Sequence, residues 1–90
     1  YRLDAPYPNP FNPVVNLRYT LPEEARVRIE IFNVLGQRVR RVVDEVKQPG
    51  IYNAQWRGRL DSEGIAASGL YLIRLNAGGF SSTRKVLLLK

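Results

Sequence analysis

The sequence predicts an all-β fold, an antiparallel β-sandwich of about seven strands. Apolar residues occupy every second position in several short stretches, which is the periodicity of a strand with one buried face. Turn-forming residues separate these stretches at short intervals, and no helical periodicity competes with them. Both observations favour one small sandwich domain over residues 1–90.

The opening segment, residues 1–13, is rich in proline and asparagine. Proline lacks an amide donor and disfavours helix at the residue before it, so this segment is expected to be extended or turning. Tyr7 and Phe11 are expected to pack it against the core, and it can hold a seventh strand.

The next strands are predicted at Val14–Leu21 and Ala25–Phe32, with Pro22-Glu23-Glu24 between them. Odd-numbered positions are apolar in both stretches, and most even-numbered positions are polar. Asn33–Gly36 is predicted as a turn whose glycine is free to adopt a positive φ. Arg38–Val43 returns as the partner strand. Its valines do not share one parity, which a β-bulge or a position at the sheet edge explains.

Ile51–Trp56 is the next predicted strand, and its terminal tryptophan is the expected central core aromatic. A loop over Arg57–Ser68 follows. Gly69 opens another strand, Asn76–Gly79 forms a hairpin turn, and Phe80–Leu89 is the last strand. Six clear strands with these turns resemble immunoglobulin-like folds in outline.

Composition excludes several classes of site. The chain has no cysteine and no histidine. Disulfides, thiolate zinc sites, cysteine nucleophiles and Ser-His-Asp triads are therefore excluded, and most metalloenzymes are not expected. Because the chain does not begin with Met, we expect it to be a piece of a longer protein.

The net charge of +6 leaves several interpretations open. A basic excess is typical of nucleic-acid binding, but no recognition helix, zinc finger or RNA-binding sheet motif is visible. Arg26 and Arg28 alternate with core positions, so solvated strand faces and edge protection explain most of the charge. An acidic partner or an anionic surface is the remaining alternative.

Acidic residues suggest two further sites, each with a structural explanation. Asp61 and Glu63 offer oxygen ligands suited to calcium, but such residues in a glycine-containing loop are also typical of turns. The pairs Glu23-Glu24 and Asp44-Glu45 are adjacent in turn-like segments, which does not suit glycoside hydrolysis across a cleft.

Four aromatic residues can form a sugar-stacking platform. They are Tyr7, Phe11, Tyr52 and Trp56. Core packing explains Tyr52 and Trp56 better, because both lie on the apolar face of a predicted strand.

The tail, Arg84–Lys90, departs from strict alternation. Four consecutive apolar residues run from Val86 to Leu89, between Lys85 and Lys90. One interpretation is a strand that is buried on both faces or lies at a sheet edge. The other is a terminal strand that a receptor recognises. The candidate recognition residues are Arg84, Lys85, Val86, Leu87, Leu88, Leu89 and Lys90.

Six motifs in order resemble the type A C-terminal sorting domains of the type IX (Por) secretion system. They are Tyr7-Pro8-Asn9-Pro10-Phe11-Asn12-Pro13, Leu17-Arg18-Tyr19-Thr20-Leu21-Pro22, Ile31-Phe32-Asn33-Val34-Leu35-Gly36-Gln37-Arg38-Val39, Gly50 with Trp56, Gly58, Asp61 and Gly64, Ser68-Gly69-Leu70-Tyr71, and Lys85–Lys90. The same pattern is similar to the immunoglobulin-like domain of the flagellar hook-capping protein. The position of the last strand at the chain end favours the sorting branch.

The resemblance implies a non-catalytic domain without cofactor or metal, at the C-terminus of an exported protein of a Bacteroidota-type bacterium. The passenger domain, often a hydrolase, would lie on its N-terminal side and reach the periplasm by a signal peptide. The outer-membrane translocon would then recognise the folded domain, without membrane insertion. A sortase-like peptidase commonly removes such a domain and attaches the passenger to anionic lipopolysaccharide, so the expected location is the cell surface or the extracellular space.

Two other functions stay open at this stage. One is an accessory carbohydrate-binding module of a secreted hydrolase, and the other is a structural immunoglobulin-like spacer. An exposed edge strand also offers a route to a dimer.

Overall fold

The structure, a computed structural model, describes all 90 residues and consists of two packed antiparallel sheets. Its strands are β1 (Arg2–Leu3), β2 (Val15–Leu21), β3 (Ala25–Phe32), β4 (Arg38–Lys47), β5 (Gly50–Trp56), β6 (Gly69–Ala77) and β7 (Phe80–Leu88). One sheet has the order β1-β2-β5, and the other has the order β4-β3-β6-β7. The predicted all-β, seven-stranded, immunoglobulin-like sandwich is therefore confirmed. No helix is present that is long and apolar enough to cross a membrane.

The core lies between the two sheets and is entirely apolar. Odd-numbered side chains of β2, β3 and β6 point into it, together with Val86 and Leu88 from β7. Trp56 is 1% exposed, and its ring lies 5.6 Å from that of Phe11 and 5.1 Å from that of Tyr71. The tryptophan is the predicted central aromatic, and it joins the opening segment to both sheets.

The opening segment contains β1, which pairs with β2 at the edge of the three-stranded sheet. Phe11 is 2% exposed, whereas Tyr7 is 49% exposed. The expected packing of the opening segment therefore holds for Phe11, but Tyr7 lies largely in solvent.

The strand after the first hairpin differs from its predicted bounds. β4 continues to Lys47, four residues beyond the expected end, because it pairs with β3 over its whole length. It lies at a sheet edge and its register shifts twice, at Ile29/Glu30 and at Ile31/Phe32. Both explanations of its irregular alternation therefore apply.

The last hairpin is tighter than predicted. β6 runs to Ala77, which pairs with Phe80, so only Gly78 and Gly79 form the turn. Gly78 has φ of +59°, a conformation that glycine adopts without steric cost.

Candidate functional site

The last strand lies at the edge of the four-stranded sheet. β7 pairs with β6 on one side, with Leu87 opposite Leu70 and Leu88 opposite Gly69. An edge strand presents a row of backbone N–H and C=O groups that its own sheet does not satisfy. The backbone of the predicted recognition tail is therefore positioned where another chain segment can pair with it.

The opening segment occupies this position. The Phe11 N–H donates to the Leu87 carbonyl at 2.9 Å, and the Leu89 N–H donates to the Phe11 carbonyl at 3.1 Å. These two bonds form a parallel bridge between Phe11 and Leu88. The opening segment and the tail, which lie at opposite ends of the sequence, are therefore hydrogen-bonded to each other.

Asn9 extends this pairing through its side chain. Its Nδ2 donates to the Lys85 carbonyl at 3.2 Å, and its Oδ1 accepts from the Leu87 N–H at 3.0 Å. An asparagine amide carries N–H donors and a carbonyl acceptor side by side, so it can pair with a strand as a backbone peptide does. Pro8 and Pro10 have no N–H of their own, so the amide of Asn9 supplies the pairing that the backbone on either side of it cannot.

The tail side chains divide into two sets. Val86 and Leu88 are 0% and 2% exposed in the core, as one-sided alternation requires. Lys85 is exposed, Leu87 is half-buried and Leu89 is 49% exposed on the other side of the strand. The structure therefore places the tail at a sheet edge, with one apolar set inside and one basic and apolar set outside.

The two ends of the tail are also fixed. The Arg84 guanidinium donates to the Leu3 carbonyl from Nε at 3.0 Å and from Nη2 at 2.9 Å. This contact links β7 to β1 of the opposite sheet. The Lys90 N–H donates to Ser68 Oγ at 3.0 Å. Only the outward side chains of the tail are therefore available to a partner of the folded domain.

Asn33 and Gly36 shape the hairpin between β3 and β4. Asn33 Oδ1 accepts from the N–H groups of Leu35 and Gln37, at 3.0 and 3.1 Å. Gly36 has φ of +81°, so the predicted positive φ is confirmed. Leu35 is 79% exposed. The side-chain oxygen of Asn33 therefore binds backbone groups of its own turn.

The long loop after β5 is held from its first residues. The Trp56 Nε1–H donates to the Arg59 carbonyl at 2.9 Å, and the Ala66 N–H donates to the Gly58 carbonyl at 2.7 Å. Gly58 is buried with φ of +71°, which favours glycine there. The loop therefore folds back on itself beside the core.

Asp61 fastens the same loop to the edge of β4. Its N–H donates to the Val39 carbonyl at 2.9 Å, and its Oδ1 accepts from the Arg41 N–H at 3.3 Å. Within the loop, the Leu60 N–H donates to the Gly64 carbonyl at 3.0 Å. No group of three or more acidic side chains that could hold a metal ion is present. The hydrogen bonds of Asp61 therefore attach the loop to the backbone of the edge strand β4.

The motif Ser68-Gly69-Leu70-Tyr71 leads into β6, the strand that pairs with β7. Tyr71 is buried beside Trp56, and its hydroxyl donates to the Ala67 carbonyl at 2.7 Å. Burial raises the pKa of the Tyr71 hydroxyl, because the phenolate is poorly solvated there.

The sugar-stacking residues do not form one surface. Phe11 and Trp56 are buried in the core, Tyr7 is exposed, and Tyr52 stacks on Tyr19 with ring centres 5.4 Å apart. The paired carboxylates are equally dispersed. Asp44 contacts arginines, Glu45 contacts Lys47, Glu23 accepts from the Tyr1 hydroxyl and Glu24 accepts from Gln48.

Sequence reasoning missed two features. It did not place Asn9 on the tail, although an asparagine between prolines is a signal for side-chain pairing. It also treated Arg57 and Arg59 only as part of a loop, although two arginines around one glycine mark a local concentration of charge.

Comparison with known proteins agrees with this geometry. The family described as "Secretion system C-terminal sorting domain" matches residues 5–89. A similar solved structure is that of dimeric latent PorU from Porphyromonas gingivalis, with a TM-score of 0.74 and 17% identity. The match covers 97% of this chain but 9% of that one, and at this identity it shows the fold alone. No curated protein matches the chain. With the family pattern spanning almost every residue, the chain belongs to the C-terminal sorting domains of the type IX (Por) secretion system.

Proposed function

We propose that residues 1–90 form a single sorting domain that directs an N-terminal passenger through the type IX secretion system to the cell surface. The family match supports a sorting signal for type IX secretion. The proposed route passes through the periplasm of a Bacteroidota-type host. There the translocon binds the folded domain, and a sortase-like peptidase later removes it.

The observation that carries this proposal is the outward face of the tail. Lys85, Leu87 and Leu89 lie on the outward side of the tail, Lys90 is exposed just after β7, and both leucines leave apolar surface in solvent. Exposed apolar side chains beside charged ones are typical of protein–protein contact sites. The backbone of this strand is held by Asn9, so the outward side chains have a fixed spacing.

The proposed domain performs no chemistry itself. Its family is not catalytic, and the carboxylates of the chain contact cations, hydroxyls and amides separately rather than converging on a cleft. Any enzymatic activity of the full protein would belong to the passenger.

The test uses a fluorescent passenger with a signal peptide, fused before residue 1 and expressed in a type IX-competent strain and in a translocon-deficient strain. Deleting Lys85–Lys90 is a poor variant, because it also removes Val86 and Leu88 from the core. The triple variant K85Q/L89S/K90Q changes only exposed side chains. We expect this variant to leave the passenger in the periplasm while the unchanged fusion reaches the surface.

The control is R2Q/R18Q/I51S, which also removes two cationic side chains and one exposed apolar side chain, here from the three-stranded sheet. Both variants must retain cooperative thermal unfolding. Equal surface display of both variants would show that the exposed side chains of the tail are not part of the recognition site. Equal location of the unchanged fusion in both strains would overturn the sorting function itself.

We also propose that the domain forms a dimer through the outer edge of β5. This edge belongs to a seven-residue strand without proline or charge, and its Ile51 is 61% exposed. Uncharged, regular edges are the ones on which strands add. Sedimentation at increasing concentration tests this, with N53K expected to shift the population to monomer. An unchanged dimer in N53K would place the contact elsewhere.

A further inference from the structure

Only some of the basic side chains of the domain form an ion pair with an aspartate or glutamate. Eight of the 14 lie within 4.0 Å of a carboxylate oxygen. The six without such a partner are Arg57, Arg59, Arg74, Arg84, Lys85 and Lys90. Arg84 binds a backbone carbonyl, and Arg74 lies over an aromatic ring. Arg57 and Arg59 contact neither a carboxylate, nor a backbone carbonyl, nor an aromatic ring through their guanidinium groups. They are only two positions apart in the sequence.

These two arginines line a cavity of about 150 Å³ where β4 and β5 lie beside each other. Its walls are Arg40, Val42, Gln55, Trp56, Arg57 and Arg59. Three guanidinium groups and one amide therefore surround the space, and no carboxylate lines it. We call this site the arginine pocket.

The backbone under the pocket is rigid. The Trp56 indole, buried in the core, donates to the carbonyl of Arg59 at 2.9 Å. The Gly58 carbonyl accepts from the Ala66 N–H at 2.7 Å, and Arg59 forms a bridge with Ile65. Because these contacts fix the positions from which both arginine side chains extend, less ordering is needed when a ligand binds.

The donors of the pocket are poorly satisfied by the protein. The one side-chain partner of Arg57 is Gln55 Oε1, at a long 3.4 Å. Arg40 lies 3.7 Å from Asp61, which also approaches Arg38. No carboxylate lines the pocket, so an anion that enters it supplies the opposite charge as well as accepting the free N–H groups.

We propose that the arginine pocket binds a phosphate group. Tetrahedral oxyanions accept paired N–H bonds from the planar guanidinium, and arginine is the side chain best suited to them. A dianion also matches the two charges of Arg57 and Arg59 that no carboxylate offsets. The ligand class is therefore a dianionic phosphate group, either inorganic phosphate or the monoester headgroup of a lipid.

The first test is titration of the 90-residue chain with inorganic phosphate at constant ionic strength, followed by calorimetry and by NMR of the Trp56 indole and Gln55 amide. We expect saturable shifts of both signals. The variant R57Q/R59Q should weaken binding by about tenfold or more, because it removes the charged hydrogen-bond donors of both side chains. The proposal is overturned if neither inorganic phosphate nor vesicles with phosphatidic acid bind in a way that depends on Arg57 and Arg59.

The matched control R2Q/R74Q removes the same two charges from other surfaces. It should retain phosphate affinity within about twofold, since its positions lie outside the pocket. An equal loss in both double variants would show diffuse attraction to the basic domain rather than a site. Thermal unfolding of both variants verifies that they fold.

Vesicles distinguish the two sources of phosphate. The chain is mixed with phosphatidylcholine vesicles that contain or lack phosphatidic acid. Binding to the phosphatidic acid vesicles that R57Q/R59Q abolishes supports a lipid-borne phosphate. Binding of inorganic phosphate alone supports a free phosphate. Vesicle binding that R57Q/R59Q leaves unchanged, without binding of inorganic phosphate, contradicts the pocket.

Discussion

Asp44 shows how single carboxylates organise the arginines of this domain. Its oxygens lie 3.0 Å from Arg26, 3.3 Å from Arg28 and 3.5 Å from Arg41. Burial disfavours the Asp44 carboxylate, but the hydrogen bonds and charges of Arg28 and Arg26 outweigh this effect. The pKa of Asp44 is consequently lowered below its ordinary 3.8. The predicted solvated arginine face is confirmed, because Arg26 and Arg28 are exposed on the outside of the sheet.

The lowered pKa of Asp44 predicts a pH-dependent contribution to stability. A group whose pKa falls on folding stabilises the native state above its unfolded pKa, and this contribution is lost as pH falls through the folded pKa. Replacing Asp44 by Asn should therefore lower the free energy of unfolding at neutral pH. The difference in free energy of unfolding between D44N and the unchanged chain should stay constant down to about pH 3.8 and shrink at lower pH.

Denaturant unfolding at a series of pH values measures this difference. The control E63Q removes an exposed loop carboxylate that has no ion pair within 4.0 Å. A constant difference for D44N across the acid range would mean that the arginine contacts do not favour its ionised form.

At the scale of elements, the alternation of apolar and polar residues predicted where the strands lie, but it did not predict which segments pair with the edge strands. β2, β3 and the buried face of β6 follow from parity alone, because one-sided burial has a period of two. The extension of β4 was missed because pairing with β3, rather than its own apolar pattern, determines where it ends. The contact of Asn9 with Leu87 was missed because it joins residues 78 positions apart. Such a contact depends on topology, which no local pattern contains.

Asn9 is expected to stabilise the edge of β7 more than the neighbouring asparagine does. N9A removes the bonds to Lys85 and Leu87, so it should lower the free energy of unfolding by about 1–3 kcal/mol. The matched control is N12A, an exposed position in the same motif. Urea unfolding compares the two variants.

Amide exchange gives a local measurement of the same effect. The Leu87 N–H should exchange faster in N9A, while the Leu89 N–H keeps its bond to Phe11. Equal exchange of Leu87 in N9A and N12A, or equal stability of the two, would contradict the role of the Asn9 amide.

At the scale of the whole molecule, the two sheets are joined by side chains as well as by the core. Arg84 projects from β7 and binds the carbonyl of Leu3 in β1 with two N–H groups. R84Q should lower the free energy of unfolding by about 1–2 kcal/mol, and Tm by roughly 5–10 °C for a domain of this size. Thermal and urea unfolding measure both quantities.

The control R74Q removes another arginine that has no carboxylate partner but lies over Phe32 on the outer face. It should change the free energy of unfolding by less than about 1 kcal/mol. Similar losses in R84Q and R74Q would show that the link to Leu3 adds nothing beyond loss of a charged side chain.

The pairing of the opening segment with the tail has a consequence for biosynthesis. During translation the chain emerges from its N-terminus, yet Phe11 and Asn9 acquire their partners only when Leu87 and Leu89 have been added. Contacts that close so long a loop form slowly and late. A chain that lacks β7 therefore cannot form this edge. A partner that requires the closed edge can therefore bind only after β7 has been synthesised, so that the edge reports that this strand is present.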